Sequence, residues 1–474
     1  MEHQRDDWSQ ADAGLPDLTA GEVVDLMQTV LSDELDHPEL WAAIPDYVAA
    51  LPTIVAEVQA RLDCAGGAER PSLLILLAMC GAALGQPKLM LETLSPLAAR
   101  HSQSPLVQGA LFHLRGVLDP GNPKYRLAGK ICTKPFEQVD VLENSTHLCC
   151  ASWLRTSVGD MNAGDWRAVW NSAEAQAIRE SIHDGSYRFC NKSACPYIQS
   201  DALVPAEALR EQSAFWRDLL DAAATTVNRG PRVVNLAYDR TCNLSCPSCR
   251  TERFAADEQL REKFDALQRD TILPLLEHAR LVFVTGSGDP FASKNFRRLM
   301  KELTPEAYPD LRFQIMTNGM LFTPQQWAEF PSLHRRVAML KISVDAAAGP
   351  THELLRRGAR WPVVTRNMAF AGELLAAGEI DNFELVFTVQ QENYREMGDA
   401  VDLAKTIGAR QIWFGRITNW GTFGDEEYRR KAVFLPDHPE HRDFLIAAAD
   451  PRLRDPMVIE GDLEEFFAPA ARAA

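Results

Sequence analysis

The sequence predicts an α/β fold: a partial (β/α)6 barrel of the TIM type, preceded by a small cysteine-rich segment and an all-helical N-terminal region. Three observations carry this reading. From residue 231 short runs rich in β-branched and aromatic residues alternate with helical patterns, the signature of parallel strands joined by helical crossovers. From about residue 20 to 115 apolar residues recur at three- and four-residue spacing, which is helical periodicity. Between them lies a stretch of turns and cysteines with little periodic apolar surface.

Length and charge bound the rest. At 474 residues the chain exceeds one ordinary core, so two or three domains are expected. A net charge of -16 disfavours a nucleic-acid partner, since a phosphate track needs clustered Lys and Arg. No window reaches the roughly 18 uninterrupted apolar residues of a membrane span, and the acidic, polar "MEHQRDDWSQADAGLPDLTA" reads as neither signal nor transit peptide. A cytoplasmic location without a membrane partner is therefore expected, where clustered cysteines serve as metal ligands or redox groups more often than as disulfides.

In chain order, the helical region (1–118) reads as a small stack of helical hairpins, as in "PSLLILLAMCGAALGQPKLMLETLSPLAARH", with a tetratricopeptide-like alternation but no clean period. Cys64 and Cys80 are expected there as small buried apolar residues. Residues 119–200 carry turn signals and Cys132, Cys149, Cys150, Cys190 and Cys195. Such a segment needs something besides apolar burial to hold it, and a metal is the candidate. Trp153, Trp166, Trp170 and Phe136 are expected as its small core. A helical linker (201–230) leads to the barrel (231–425), and the tail (426–474) reads as short helical pieces without a domain of its own.

The barrel strands are expected at "VVNLAYD" (233–239), "LVFVT" (281–285), "RFQIMT" (312–317), "MLKISVD" (339–345), "FELVFTV" (383–389) and "RQIWFGRI" (410–417). Ligands of parallel α/β folds bind beyond the carboxyl ends of such strands. Just past the first one, "RTCNLSCPSCR" sets Cys242, Cys246 and Cys249 in a C-x3-C-x2-C spacing. Three soft thiolates on a short loop suit three corners of an iron–sulfur cube and leave one iron open; a zinc knuckle borrowing a fourth ligand is the bland alternative. The following strand ends carry "TGSGDP" (285–290), "TNGM" (317–320) and "ISVD" with Ser343 and Asp345. Arg356, Arg357 and Arg416 are candidates for the barrel mouth or for solvated faces.

Taken in order, these motifs over about 231–420 resemble the radical S-adenosylmethionine (radical SAM) enzymes. The resemblance implies a 4Fe-4S cluster on Cys242, Cys246 and Cys249, with S-adenosylmethionine chelating the fourth iron. It also implies cofactor contacts from Gly286, Ser287, Gly288, Asp289 and Pro290, which stand where the family has Gly-Gly-Glu-Pro, and from Asn318 and Ser343. The chain departs from the family pattern at Ser287 for glycine, Asp289 for glutamate, and Ser248 for an aromatic residue. The 131–197 segment resembles the SPASM and Twitch auxiliary-cluster domains, here ahead of the barrel rather than after it. That implies a second, auxiliary 4Fe-4S cluster on Cys132, Cys149, Cys190 and Cys195, with Cys150 the alternative to Cys149 or else a thiol hydrogen donor, and a four-cysteine zinc site as the other occupant. The expected activity is radical hydrogen abstraction from an unactivated carbon of a peptide or protein, fed by an electron donor such as flavodoxin or ferredoxin. The alternatives are oxidation or epimerisation of a sugar or other small metabolite, and a non-enzymatic electron carrier or docking protein.

Overall fold

A computed structural model describes residues 18–47, 49–285 and 287–467. The strands, in chain order, are β1 (Lys130–Ile131), β2 (Gln138–Val141), β3 (Thr146–His147), β4 (Val204–Pro205), β5 (Val233–Leu236), β6 (Leu281–Val284), β7 (Arg312–Thr317), β8 (Val337–Ser343), β9 (Phe383–Val389), β10 (Gln411–Arg416) and β11 (Val458–Ile459). The chain divides into two compact units, and it passes between them more than once. One takes the residues up to Pro135 with Cys149–Thr156 and Ala173–Thr226; the other takes Phe136–Leu148, Ser157–Ser172 and the residues from Val227 onward.

The second unit is mixed α/β. Among the described residues, nine of its strands form one sheet in the order β11, β10, β9, β8, β7, β6, β5, β2, β3. Every neighbouring pair is parallel except β2 with β3. All six expected strands are present and adjacent, because their β-branched and aromatic runs supply an apolar face that helices cover. In β7, for example, buried Phe313, Ile315 and Thr317 alternate with half-buried Arg312, Gln314 and Met316. The sheet is wider than the six strands expected. Beside β5 lies β2, with Val139 against Val234, and beside β10 lies β11, with Ile412 against Val458. These additions are four and two residues long, too short to show a period. The tail thus adds a sheet edge and the helix His441–Ala448, whose Phe444 is buried.

The first unit is helical over Ala20–Leu31, Pro38–Ala43, Leu51–Cys64, Arg70–Ala83, Pro87–Arg100 and Pro105–Leu118. Their apolar stripes form one core that includes Val24, Leu51, Leu76, Leu94 and Leu114. Cys80 belongs to that core, whereas Cys64 is exposed, contrary to expectation, because it ends its helix. The cysteine-rich segment is shared between the units: its five cysteines lie in the first, while 136–148 and 157–172 belong to the second. The four aromatics expected as one small core are divided in the same way. Phe136, Trp166 and Trp170 are buried in the second unit and Trp153 belongs to the first.

Within the first unit a buried ion pair joins Lys192 to Asp36, and His113 Nε2 lies 3.1 Å from the same carboxylate. Lys192 and Asp36 side chains are each 1% exposed. Burial works to raise the Asp36 pKa, but the Lys192 and His113 charges outweigh it and hold the carboxyl well below its usual range. Ser193 Oγ donates to the Gln108 carbonyl at 2.9 Å and Asn191 Nδ2 to the Ser102 carbonyl at 2.8 Å. The Cys190–Cys195 loop is therefore fastened to the helical layer. Removing one partner of a buried pair strands the other charge, so Lys192→Met is expected to cost about 3–5 kcal/mol; urea unfolding of wild type and variant measures it, and a loss below about 1 kcal/mol would show the pair to be dispensable.

Candidate functional site

The loops that follow β5, β6, β7 and β8 all leave the carboxyl edge of the parallel sheet, and they bring together most of the residues singled out from the sequence. After β5 the chain turns at Asp239, whose carboxylate accepts the Thr241 N–H at 2.8 Å and the Ser293 hydroxyl at 2.5 Å. The cysteine loop follows. Cys246 is buried, Cys242 half-buried and Cys249 exposed, and Leu244, Cys246 and Ala359 pack as a small apolar cluster with Cys242 and Met320 against it.

Each sulfur meets an N–H donor. The Leu244 N–H and the Asn318 side-chain amide donate to Cys242 Sγ at 3.4 and 3.7 Å. The Arg250 guanidinium lies 3.4 Å from Cys249 Sγ, and the Arg356 guanidinium 3.9 Å from Cys246 Sγ. Burial, with Asp289 adding to it, pushes the Cys242 thiol up to about 11; burial also raises Cys246, although the Arg356 charge works the other way. Among the described residues no three His, Cys, Asp or Glu side chains converge as one metal ion would require. A cuboidal cluster takes each sulfur on a different iron, and a loop of three thiols, two of them screened by apolar side chains and each faced by an N–H donor, fits such a thiolate-ligated centre.

The loop after β6 supplies a cradle. Thr285 is held at φ 51, in the left-handed region that a β-branched residue avoids, and its hydroxyl oxygen accepts the Ser287 and Gly288 N–H groups, both at 2.9 Å. Gly286 lies outside the described residues. Ser287 Oγ donates to the Ala237 carbonyl at 2.7 Å. A Cβ on Gly288 would stand 2.6 Å from the Thr241 carbonyl oxygen and 2.8 Å from that of Asp239, so only glycine lets the two loops touch. Pro290 is buried behind them.

Asp289 is fully buried and bonded on both oxygens. Oδ2 accepts the Thr317 hydroxyl at 2.7 Å and the Asn318 N–H at 2.9 Å, and Oδ1 accepts the Phe291 N–H at 3.0 Å. Burial raises its pKa against the pull of these hydrogen bonds. Its side chain is a strut between loops. Asn318, so anchored, turns its side-chain amide toward Asn243 Oδ1 at 2.9 Å as well as toward Cys242. Ser343, 8% exposed, ends β8.

Arg250, Thr285 and Thr317 lie inside the motifs quoted from the sequence, but nothing local told their roles. Arg250 was the most accessible, since it directly follows Cys249. Of the three arginines considered for the mouth, Arg356 pairs with Asp345 at 2.7 Å, and Arg357 clasps the cysteine loop through Ser245 Oγ at 3.1 Å and the Thr251 carbonyl at 2.7 Å. Arg416 instead pairs with Glu465 and lies over the Phe434 and Phe466 rings.

In the first unit three further cysteines influence one another electrostatically. Burial, with Cys195 adding to it, pushes Cys132 up to about 12. Cys190 is raised well above the usual range by burial and by Cys195 and Cys132, and Cys195 is raised by burial and feels Cys150. Cys150 of the adjacent pair lies within electrostatic reach of Cys195, and Cys149 beside it is buried.

No family model matches the chain, and no curated protein matches it. Among solved structures it is similar to Streptococcus suis SuiB bound to precursor peptide SuiA, at 13% identity over 55% of this chain and 57% of that one, with a TM-score of 0.30. It is also similar to SuiB bound to S-adenosylmethionine, at 14% identity over 54% of this chain and 56% of that one, with a TM-score of 0.32. The chain thus spans less than two thirds of those structures, and a likeness at such TM-scores supports no inference about fold or function.

Two substitutions test the geometry. Gly288→Ala is expected to force the Thr241 and Ser287 loops apart, at about 1–3 kcal/mol of stability, and to reduce metal taken up on reconstitution. Asp289→Ala orphans three buried donors and is expected to cost on the order of 2–4 kcal/mol. Thermal unfolding and metal analysis read both; wild-type values for either would refute the assigned packing.

Proposed function

We propose that the chain is a radical SAM enzyme that modifies a peptide or protein. The observation that carries this is the set of three thiols at the carboxyl edge of a parallel sheet, each faced by an N–H donor and abutted by the Gly288 loop. On this reading Cys242, Cys246 and Cys249 hold a 4Fe-4S cluster, and the Ser287–Pro290 loop, Asn318 and Ser343 line the place of S-adenosylmethionine, with Gly286 in the same motif. When bound, cluster and cofactor supply one-electron cleavage of the sulfonium carbon–sulfur bond, giving the 5′-deoxyadenosyl radical that abstracts hydrogen from the substrate.

The chain's own part is holding and screening. Leu244, Ala359 and Met320 keep water from Cys242 and Cys246, while Cys249 stays open to solvent. Arg356, neutralised by Asp345, and Arg357 fix the far side of the loop. Asp289 serves as the strut that fixes the cradle.

The mutual influence of Cys132, Cys190 and Cys195 supports a second 4Fe-4S cluster in the first unit, with Cys149 as the fourth ligand and Cys150 the alternative. Resemblance of that segment to SPASM and Twitch domains supports a peptide substrate. A small reducing protein of the flavodoxin or ferredoxin class supplies the electron.

Purified without oxygen, wild type is expected to carry roughly eight irons, and the Cys242→Ala/Cys246→Ala/Cys249→Ala protein roughly four. Of Cys149→Ala and Cys150→Ala, the one that removes the fourth ligand is expected to lose the other four and its neighbour none. Only proteins with the intact triplet are expected to release 5′-deoxyadenosine from S-adenosylmethionine under dithionite. Zinc in place of iron, or cleavage that survives the triple substitution, would sink the proposal.

A further inference from the structure

We propose that Arg250 is a positioning residue that raises the reduction potential of the cluster on Cys242, Cys246 and Cys249; this rests on the function proposed above. The guanidinium makes three contacts that hold it in one place. It donates to the Arg240 carbonyl at 2.7 Å, to the Ser287 carbonyl at 2.5 Å, and to Cys249 Sγ at 3.4 Å. Two of these partners are neutral, and among the described residues no carboxylate pairs with it. The nearby Asp239 and Asp289 are taken up by the Thr241, Ser293, Thr317, Asn318 and Phe291 donors. Arg356, the other guanidinium beside the triplet, differs on this point because Asp345 cancels its charge at 2.7 Å.

The anion within reach of Arg250 is therefore the cysteine sulfur. A half-buried cation held by carbonyl oxygens gains most from an anionic partner. An iron–sulfur cube on three thiolates provides that partner, and it becomes more negative by one charge when an external reductant delivers an electron. A fixed positive charge and an N–H···S hydrogen bond at a ligand sulfur both favour the reduced form over the oxidised one. The tie to Ser287 matters as well. Since one guanidinium spans the cysteine loop and the loop after β6, the cation cannot swing into solvent without losing its grip on both.

The test uses the full chain, reconstituted anaerobically, with a dithionite redox titration followed by electron paramagnetic resonance. The cluster in question is recognised by the change in its signal on adding S-adenosylmethionine. In Arg250→Gln the reduced-to-oxidised ratio at a fixed potential is expected to fall about tenfold, a shift of about 59 mV for one electron. Arg250→Lys, which keeps the charge and loses the fork, is expected to fall by about two- to fivefold. A merely structural role would leave iron-loaded variants at the wild-type midpoint, and that result overturns the inference. Should the Gln protein fail to hold iron, the Lys protein decides alone: an unmoved midpoint refutes the assignment. Wild type without any S-adenosylmethionine-sensitive signal refutes the proposed function itself, whereas a normal wild-type signal with unmoved variants refutes only the role of Arg250.

Discussion

The buried carboxylate of Asp289 is the constraint on which the rest of the site depends. Parallel strands deliver their loops to one edge of a sheet, but that alone leaves the spacing between loops open. An ionised carboxylate with no water around it has to find donors, since leaving it bare costs several kcal/mol. Its donors come from the end of β7 and from its own loop, and its N–H goes to the Thr241 carbonyl at 2.9 Å in the loop after β5. Three loops are thereby set at one spacing. The close approach at Gly288 and the aim of the Asn318 amide toward Cys242 follow from that setting.

Two strand ends carry backbone strain that the same network offsets. Thr285 at φ 51 and Asp345 at φ 53 occupy the left-handed region without being glycine, at about 1–3 kcal/mol each. Thr285 recovers two hydrogen bonds through its hydroxyl. Asp345 accepts the Thr388 N–H at 2.7 Å, pairs with Arg356, and offers its carbonyl to Asn393 Nδ2 at 2.9 Å. Conformations this unfavourable persist where neighbours over-determine them, and here they re-aim the chain as it leaves the sheet.

The six central strands and the cysteine triplet were legible because their information is local: a run of β-branched residues, or three thiols within eight positions. What stayed hidden depends on partners remote in sequence. Arg250 meets Ser287, 37 positions on, and Arg356 reaches back 110 positions to Cys246. Asp289 reads as a ligand contact because its motif invites it, yet Thr317 and Asn318 claim it through pairing between strands. The short outer strands β2, β3 and β11 borrow their conformation from a neighbour and have no periodicity to reveal. In the cysteine-rich segment the thiols stood out, but their division from the aromatics Phe136, Trp166 and Trp170 did not.

That division bears on how the chain can be made and cut. The strand β2 pairs in register with β5, Gln138 against Val233, while most of the chain between them goes to the first unit. During synthesis the early strand must wait for its partner with its edge unpaired, a long-range closure of the kind that slows folding and invites wrong pairings. A fragment begun at residue 231, where the regular alternation starts, would lack β2 and β3 and leave β5 as a bare sheet edge. The sheet-bearing unit is thus no detachable module from residue 231 onward, and its first strand in the sheet lies nearly a hundred residues before the β5 strand it pairs with.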